Sequence, residues 1–400
     1  MSNKTNQKKI KVITSTKQMK TVDDMFQEKC SKYPGLNQDN VLESVNRIIV
    51  IGDLHGDFDR TIDSLKVGGV LKVNNEYDED SKDRYEWIGN DTVVVQVGDQ
   101  IDRCRNLPCH LPESTDPDEN SDLKILKFFT DLHFKALQSG GAVYSLVGNH
   151  ELMNVAGRMD YVSYENIQGF ENEQSYGDPL YDGKIPDDKK NMEARMWAFE
   201  PGNPLAEFLA CTRKLVLKIG SNLFVHAGIL PEIAEKYNDI SEMNKILSMY
   251  LFNLLDKNEL EKHKLLLGPE ILAKNDSSQY NIDYYNEKDS SSDFESYKKS
   301  PLWNRVLGGL SNDSIVESDD QKCRRLLNPI QKIYKVDRMF IGHTPQISKG
   351  INSACNDKLW FTDVGLSKAF DKFDMSLKSG EVKKAQVLLI ENDGEPVVLQ

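Results

Sequence analysis

The feature that most constrains this chain is a set of short β-branched runs, each closed by residues that carry oxygen or nitrogen donors. Ile48-Ile49-Val50-Ile51 leads into Gly52-Asp53-Leu54-His55-Gly56-Asp57. Val93–Val97 leads into Gly98-Asp99-Gln100-Ile101-Asp102-Arg103, and Ala142–Val147 into Gly148-Asn149-His150-Glu151. Leu223–Val225 is followed by His226-Ala227-Gly228, and Met339–Ile341 by Gly342-His343-Thr344. Continuous apolar runs of this length predict strands buried on both faces.

The text between them supplies helices. Asp122–Gln138 brings Leu123, Leu126, Phe129, Leu132 and Leu137 close to one face, the spacing of an amphipathic helix. Residues 233–263 also read as helical. Strands alternating with helices predict a layered α/β domain. Two hairpins are expected, Leu215–Val225 around Gly220-Ser221-Asn222 and Val387–Leu399 around Asp393-Gly394. Residues 1–45 read as a polar, basic and partly disordered extension, with a short helix near Thr21–Lys32. Residues 46–400 read as the folded domain, with surface insertions near 74–90, 106–121, 178–192 and 275–300.

Charge narrows the function. A formal net charge of −13 lacks the basic footprint of a nucleic-acid binder. It also repels anionic substrates at long range, so a phosphate site must carry its own positive charge, which metal ions would supply. No run approaches the length of a membrane helix, so no membrane partner is expected. The N-terminus has no apolar core or cleavage site of a secretory signal. On that basis Cys30, Cys104, Cys109, Cys211, Cys323 and Cys355 are expected as reduced thiols in a cytoplasmic protein. The spacing of Cys104 and Cys109 matches no common zinc pattern.

A strand followed by Gly-Asp is, taken singly, an ordinary loop start. The distribution of histidines changes the reading. Of seven, His55, His150, His226 and His343 follow apolar strands beside a glycine, while His110, His133 and His263 fall in loops or helices. Ligands gather at strand ends in α/β sheets. Asp, His and Asn side chains suit Mn, Fe or Zn.

The ordered set Gly-Asp-x-His-Gly, Gly-Asp-x-x-Asp-Arg, Gly-Asn-His-Glu, His-Ala-Gly and Gly-His-Thr resembles the calcineurin-like metallophosphoesterase superfamily, in its phosphoprotein phosphatase branch. Gly148–Ser163 (GNHELMNVAGRMDYVS), IGHTPQ and DVGLSKAF (Asp363–Phe370) are similar to the bacterial-type, Shewanella-like protein phosphatases. Ordinary eukaryotic Ser/Thr enzymes have an arginine where Leu146 stands here.

The resemblance implies a central β-sandwich flanked by helices, with the metal site at the C-terminal ends of strands. It implies two divalent ions, Mn foremost among Mn, Fe and Zn. Asp53, His55 and Asp99 would bind the first, and Asp99 would bridge to a second held by Asn149, His226 and His343. His150 would be the general acid and Asp102 its orienting partner. Arg103 would hold a phosphate oxygen, and Arg305 is the candidate second arginine. Asp57 would either orient a metal ligand from behind or simply start a loop. Glu151 would support the sheet edge or a ligand loop, and Asp363 and Tyr161 would line the pocket. Cys104 departs from the family, which has glycine there; a side chain disfavours the positive φ glycine allows. Its alternatives are a buried inert thiol, a metal ligand, or oxidation with Cys109.

The expected activity is hydrolysis of phosphate monoesters, phosphoproteins foremost, by in-line attack of a metal-bridging hydroxide with a His general acid. The alternatives are a dinucleoside polyphosphate or cyclic nucleotide hydrolase on the same fold, and a binding module without catalysis.

Overall fold

A computed structural model of the chain describes residues 21–36, 39–78, 81, 83–171, 185–272, 298–311, 317–378 and 381–400. Strands β1 (Val41–Leu42), β2 (Arg47–Ile51), β3 (Leu71–Val73), β4 (Tyr85–Trp87), β5 (Val93–Gln96), β6 (Ala142–Leu146) and β7 (Arg213–Lys214) lie in the first half. They are followed by β8 (Val216–Ile219), β9 (Asn222–Val225), β10 (Arg338–Ile341), β11 (Asn352–Ala354), β12 (Leu359–Phe361), β13 (Val387–Glu391) and β14 (Val397–Leu399). Two six-stranded sheets result, ordered β14-β13-β2-β5-β6-β7 and β1-β8-β9-β10-β12-β11, with β3 and β4 paired apart.

Strand periodicity explains the layers. Successive side chains on a strand point to opposite faces. Ile48, Val50, Val93 and Val95 enter the core shared with Leu217, Phe224 and Phe340 of the other sheet. Ile49, Ile51, Val94 and Val143 enter a second core with Leu65 of helix Phe58–Val67 and with Ile125, Phe129 and Leu132 of helix Asp122–Leu137. Both faces are covered, so each strand reads as a continuous apolar run. Full burial of each such side chain stabilises by about 1.5–3 kcal/mol. This is the layered α/β architecture expected, and β2, β5 and β6 run parallel so that their C-terminal ends meet.

The local expectations fare unevenly. Helix Asp122–Leu137 buries Leu126, Phe129 and Leu132 but exposes Leu137 at its last residue. Residues 233–263 are helical, in three pieces. They fall into Pro231–Lys236, Ile240–Leu251 and Lys257–Leu267, because the carboxylates of Asp239 and Asp256 each cap a new N-terminus. Both hairpins form, β8 with β9 and β13 with β14. The second turns through Asn392 and Asp393, both at positive φ.

Residues 21–45 are integrated rather than trailing. Thr21 and Asp24 form a capping box on helix Val22–Lys29, and β1 adds in parallel to β8. Of the four insertions, 74–90 contributes β4 to a hairpin with β3, and 106–121 packs against the site described below. Much of 178–192 and nearly all of 275–300 lie outside the described residues, as do residues 1–20.

The expectation of six reduced thiols is corrected. Cys30 pairs with Cys211, Cys104 with Cys109 and Cys323 with Cys355, at Cα separations of 5.1, 5.7 and 5.4 Å. No cysteine is free. The reason is tertiary: Cys30 and Cys211 are 181 residues apart and meet only because helix Val22–Lys29 packs on helix Pro204–Thr212. Disulfides persist in oxidising compartments, so the cytoplasmic expectation loses the thiols on which it rested. No helix among the described residues is long and apolar enough to cross a membrane.

Candidate metal centre

Backbone hydrogen bonds lock the first three strand-end loops together. The amides of Leu54 and His55 both donate to the Asp99 carbonyl, at 2.9 and 3.0 Å. The Glu151 carboxylate accepts from the amides of Asp99 (3.0 Å), Gly148 (2.7 Å) and Gln100 (2.8 Å). The fifth loop joins through the His343 amide, which donates to Asp53 Oδ2 at 2.9 Å. Four site residues hold left-handed backbone, with φ of 45° at His55, 52° at Asp99, 70° at Asp102 and 67° at His343. Such conformations are costly for non-glycine residues and cluster at functional sites. Close approach explains two glycines: a Cβ on Gly148 would overlap Asp99 Oδ1, and one on Gly342 would overlap Asp53 Oδ1.

The side chains converge on Asp99 Oδ2. His226 Nε2 lies 3.3 Å away, His55 Nε2 3.8 Å and His150 Nε2 3.9 Å. His226 and His343 show how the site is built. His226 Nδ1 faces the Val97 carbonyl at 2.9 Å, and His343 Nε2 faces the Trp303 carbonyl at 3.1 Å. A ring nitrogen facing a carbonyl must carry the hydrogen, so in the neutral ring the other nitrogen presents a lone pair. His343 Nδ1 and His226 Nε2 lie 2.8 and 2.9 Å from Asn149 Oδ1. Burial keeps His343 neutral, so its lone pair faces that oxygen, whereas on His226 burial opposes a proton and Asp99 outweighs it in favour of one. The Asn149 side-chain oxygen is itself an acceptor, so the His343 lone pair meets an acceptor there. A cation between them satisfies both.

Charge and burial agree with a cation. Asp53 is 2% exposed, and its Oδ1 has no hydrogen-bond partner. Burial, then the neighbouring carboxylates of Asp363 and Asp99, push its pKa well above the usual carboxylate range. Asp363 is likewise raised, to about 6, by burial and Asp99, and its Oδ2 is unpartnered. Burial disfavours charge on Asp99 too, but His226, foremost among its neighbours, outweighs it and holds that carboxylate ionised. Burial, then Arg105, keeps His55 neutral, and burial, then Arg305, does so for His343. Ionised carboxylate and neutral imidazole are the ligand forms metals require. Two trios of buried donors sharing Asp99 are compact enough to hold an ion: His55, Asp99 and His150, and Asp99, His226 and His343.

Behind His150 lies a buried polar chain. Asp102 Oδ2 is 2.9 Å from His150 Nδ1, and Asn154 donates to both oxygens of Asp102. Arg195 Nε donates to Asn154 Oδ1 at 2.8 Å, and its Nη2 reaches Asp122 at 2.8 Å. Asn154 lies within the family-like stretch Gly148–Ser163 without a role implied by the resemblance, and nothing in the sequence marked Arg195.

The arginines divide by the partners they hold. Arg103 is 1% exposed and its guanidinium is engaged elsewhere. Its Nε donates to the Pro117 carbonyl, and its Nη1 to the Gly56 carbonyl and to Glu119, with Asp57 at 3.3 Å. It anchors the 106–121 segment under the first loop. Two residues on, half-buried Arg105 lies with its guanidinium 5.5 Å from the Tyr161 ring and 4.6 Å from the Phe370 ring. Those rings pack against His150 and His55, at 5.0 and 5.3 Å. Sequence reading missed Arg105; its only signal was a place between two cysteines. Arg305 is exposed and donates to the His343 carbonyl at 2.9 Å, at the rim of the site. Asp57 caps helix Phe58–Val67 and accepts from the Lys368 amide. Cys104 is buried, avoids positive φ, and is neither a free thiol nor a metal ligand because it pairs with Cys109.

Comparison with known proteins agrees with this geometry. The chain is 35% identical over 256 residues to an uncharacterized protein of Acanthamoeba polyphaga mimivirus, covering 62% of this chain and 90% of that one. It is 28% identical over 360 residues to Shewanella-like protein phosphatase 2 of Arabidopsis thaliana, covering 82% and 73%. Among solved structures, a cold-active protein-tyrosine phosphatase of a psychrophilic Shewanella superposes with a TM-score of 0.55 at 18% identity, over 91% of this chain and 83% of that one; at this identity the match bears on the fold. The calcineurin-like phosphoesterase profile matches residues 46–346, which contain all five strand-end loops, and the chain therefore belongs to the calcineurin-like phosphoesterase family of hydrolases.

Proposed function

We propose that this protein is a metal-dependent phosphatase acting on phosphate monoesters, phosphoproteins foremost. The observation that carries this reading is the convergence of His226 Nε2, His343 Nδ1 and Asn149 Oδ1 beside the shared Asp99 carboxylate. Asp53, His55 and Asp99 would hold one ion, and Asp99, Asn149, His226 and His343 a second. When bound, two divalent ions, manganese foremost, clamp phosphoryl oxygens and ready water for in-line attack.

The chain's own residues supply the rest. His150 Nε2 points toward Asp99 while its Nδ1 is held by Asp102. A ring so held can keep a proton on Nε2 and deliver it to the departing oxygen, which would otherwise leave as an alkoxide. Asn154 and Arg195 fix the orientation of Asp102 from behind. Arg305 at the rim is a phosphate contact. The phosphoprotein preference is supported by the name of the Arabidopsis relative, a protein phosphatase.

The test is direct. Manganese-loaded protein should release phosphate from an aryl phosphate and from a phosphopeptide panel, and chelation should abolish this. Absence of release from every substrate, with two metals bound, would overturn the reading.

A further inference from the structure

We propose that Arg105, and not Arg103, joins Arg305 as a guanidinium that grips the substrate phosphate; this rests on the phosphatase reading above.

The argument begins with charge. A phosphate monoester entering an acidic protein needs a cation that is not already spent. Arg103 is spent on Asp57 and Glu119, and Arg195 on Asp122 with Asp102 nearby. Arg105 has no carboxylate partner among the described residues. Its hydrogen bonds come from one nitrogen alone: Nη1 donates to the carbonyls of Asp102 and Cys104, at 2.9 and 2.7 Å. The Nε and Nη2 donors are left open among the described residues. Two parallel N–H groups are the fork that matches two phosphate oxygens.

Position follows from the rings. Tyr161 and Phe370 flank the guanidinium, and each also packs on a histidine of the metal centre. Arg105 therefore stands on the His55–His150 side of the cluster, where the phosphoryl group of the proposed reaction would lie. Arg305 donates to the His343 carbonyl on the opposite trio.

The loop is built to keep Arg105 there. The Cys104 amide donates to the Tyr161 carbonyl at 3.0 Å, and the Cys104–Cys109 bridge closes the loop directly around Arg105. This accounts for a cysteine where the family has glycine: the bridge replaces a free turn with a tied one and shifts the working arginine by two positions.

The test uses full-length, manganese-loaded protein and inorganic phosphate as the probe. Calorimetry measures phosphate affinity, and aryl phosphate turnover gives KM and kcat. Arg105→Ala should weaken phosphate binding and lower kcat/KM by about 100-fold, the scale of losing one preorganised donor at a reacting centre. Metal content and Tm should stay at wild-type values, and added methylguanidinium should restore part of the activity. Arg105→Lys keeps the charge without the fork and should recover only part of the affinity. If Arg105→Ala does not fold, Arg105→Lys carries the test. Wild-type phosphate affinity in either folded variant overturns the assignment. Wild-type protein that neither binds phosphate nor hydrolyses an ester overturns the phosphatase reading instead.

Discussion

Asp102 Oδ2 lies 2.9 Å from His150 Nδ1, and the same carboxylate accepts from Asn154 at 2.9 and 3.1 Å. An imidazole held this way has one nitrogen committed and one free. His150→Gln should lower kcat for phenyl phosphate by ~10²–10⁴-fold, the usual worth of a positioned general acid. Asp102→Asn should lower it less, since His150 remains. With 2,4-dinitrophenyl phosphate, whose leaving group needs no proton, both losses should shrink markedly. Equal losses on the two esters would count against proton delivery by His150.

The same ring could instead bind metal, because His150 Nε2 belongs to a compact trio with His55 and Asp99. Metal counting separates the roles. His150→Gln should retain two manganese ions per chain by elemental analysis, whereas His226→Ala should retain at most one. Loss of an ion in His150→Gln would make His150 a ligand.

The three disulfides should be visible in solution. Denatured protein should titrate no thiol before reduction and six after it. Removing Cys30–Cys211, which spans 181 residues, should cost about 5 kcal/mol on loop-closure grounds. Removing Cys104–Cys109, which spans 5, should cost about 2 kcal/mol. Paired Cys→Ala variants compared by urea unfolding check the order; a smaller effect for the long loop would contradict it.

Acid should weaken the fold through His133. This ring is buried between helix Asp122–Leu137 and β6, with Nδ1 2.9 Å from the Val143 carbonyl. Burial lowers its pKa from 6.5 to about 4. The unfolded chain therefore takes up the proton first as pH falls. The stability His133 contributes is full above pH 6.5 and is lost down to about 4, about 3 kcal/mol in all. Urea midpoints of metal-free wild type and His133→Gln should diverge least in acid. A constant difference across this range would exclude His133 as the acid-sensitive group.

What could be read in the sequence was whatever a local pattern dictates. The buried strands were legible because Ile48–Ile51 and Val93–Val97 are apolar without interruption, and the strand-end loops because His and Asp there are spaced by glycines. The breaks at Asp239 and Asp256 were also local, yet hydrophobic spacing alone runs through them. The rest depended on contacts distant in sequence. Whether Arg103 or Arg105 faces the site is decided by Glu119, Pro117 and Asp57, which claim Arg103 first. Arg195 reaches Asn154 across 41 positions, and Cys30 reaches Cys211 across 181. No window of neighbouring residues carries such information.

The Glu151 carboxylate, which gathers the amides of Asp99, Gly148 and Gln100, sets the cost of loading the site. That clasp is made by the polypeptide alone, and it ties the Asp99 loop to the Gly148 loop through hydrogen bonds that need no ion. Uptake then becomes a filling event with little rearrangement of the main chain. Calorimetric titration should show a small heat-capacity change, circular dichroism should stay flat, and emptied protein should remain a faithful cast of the loaded one.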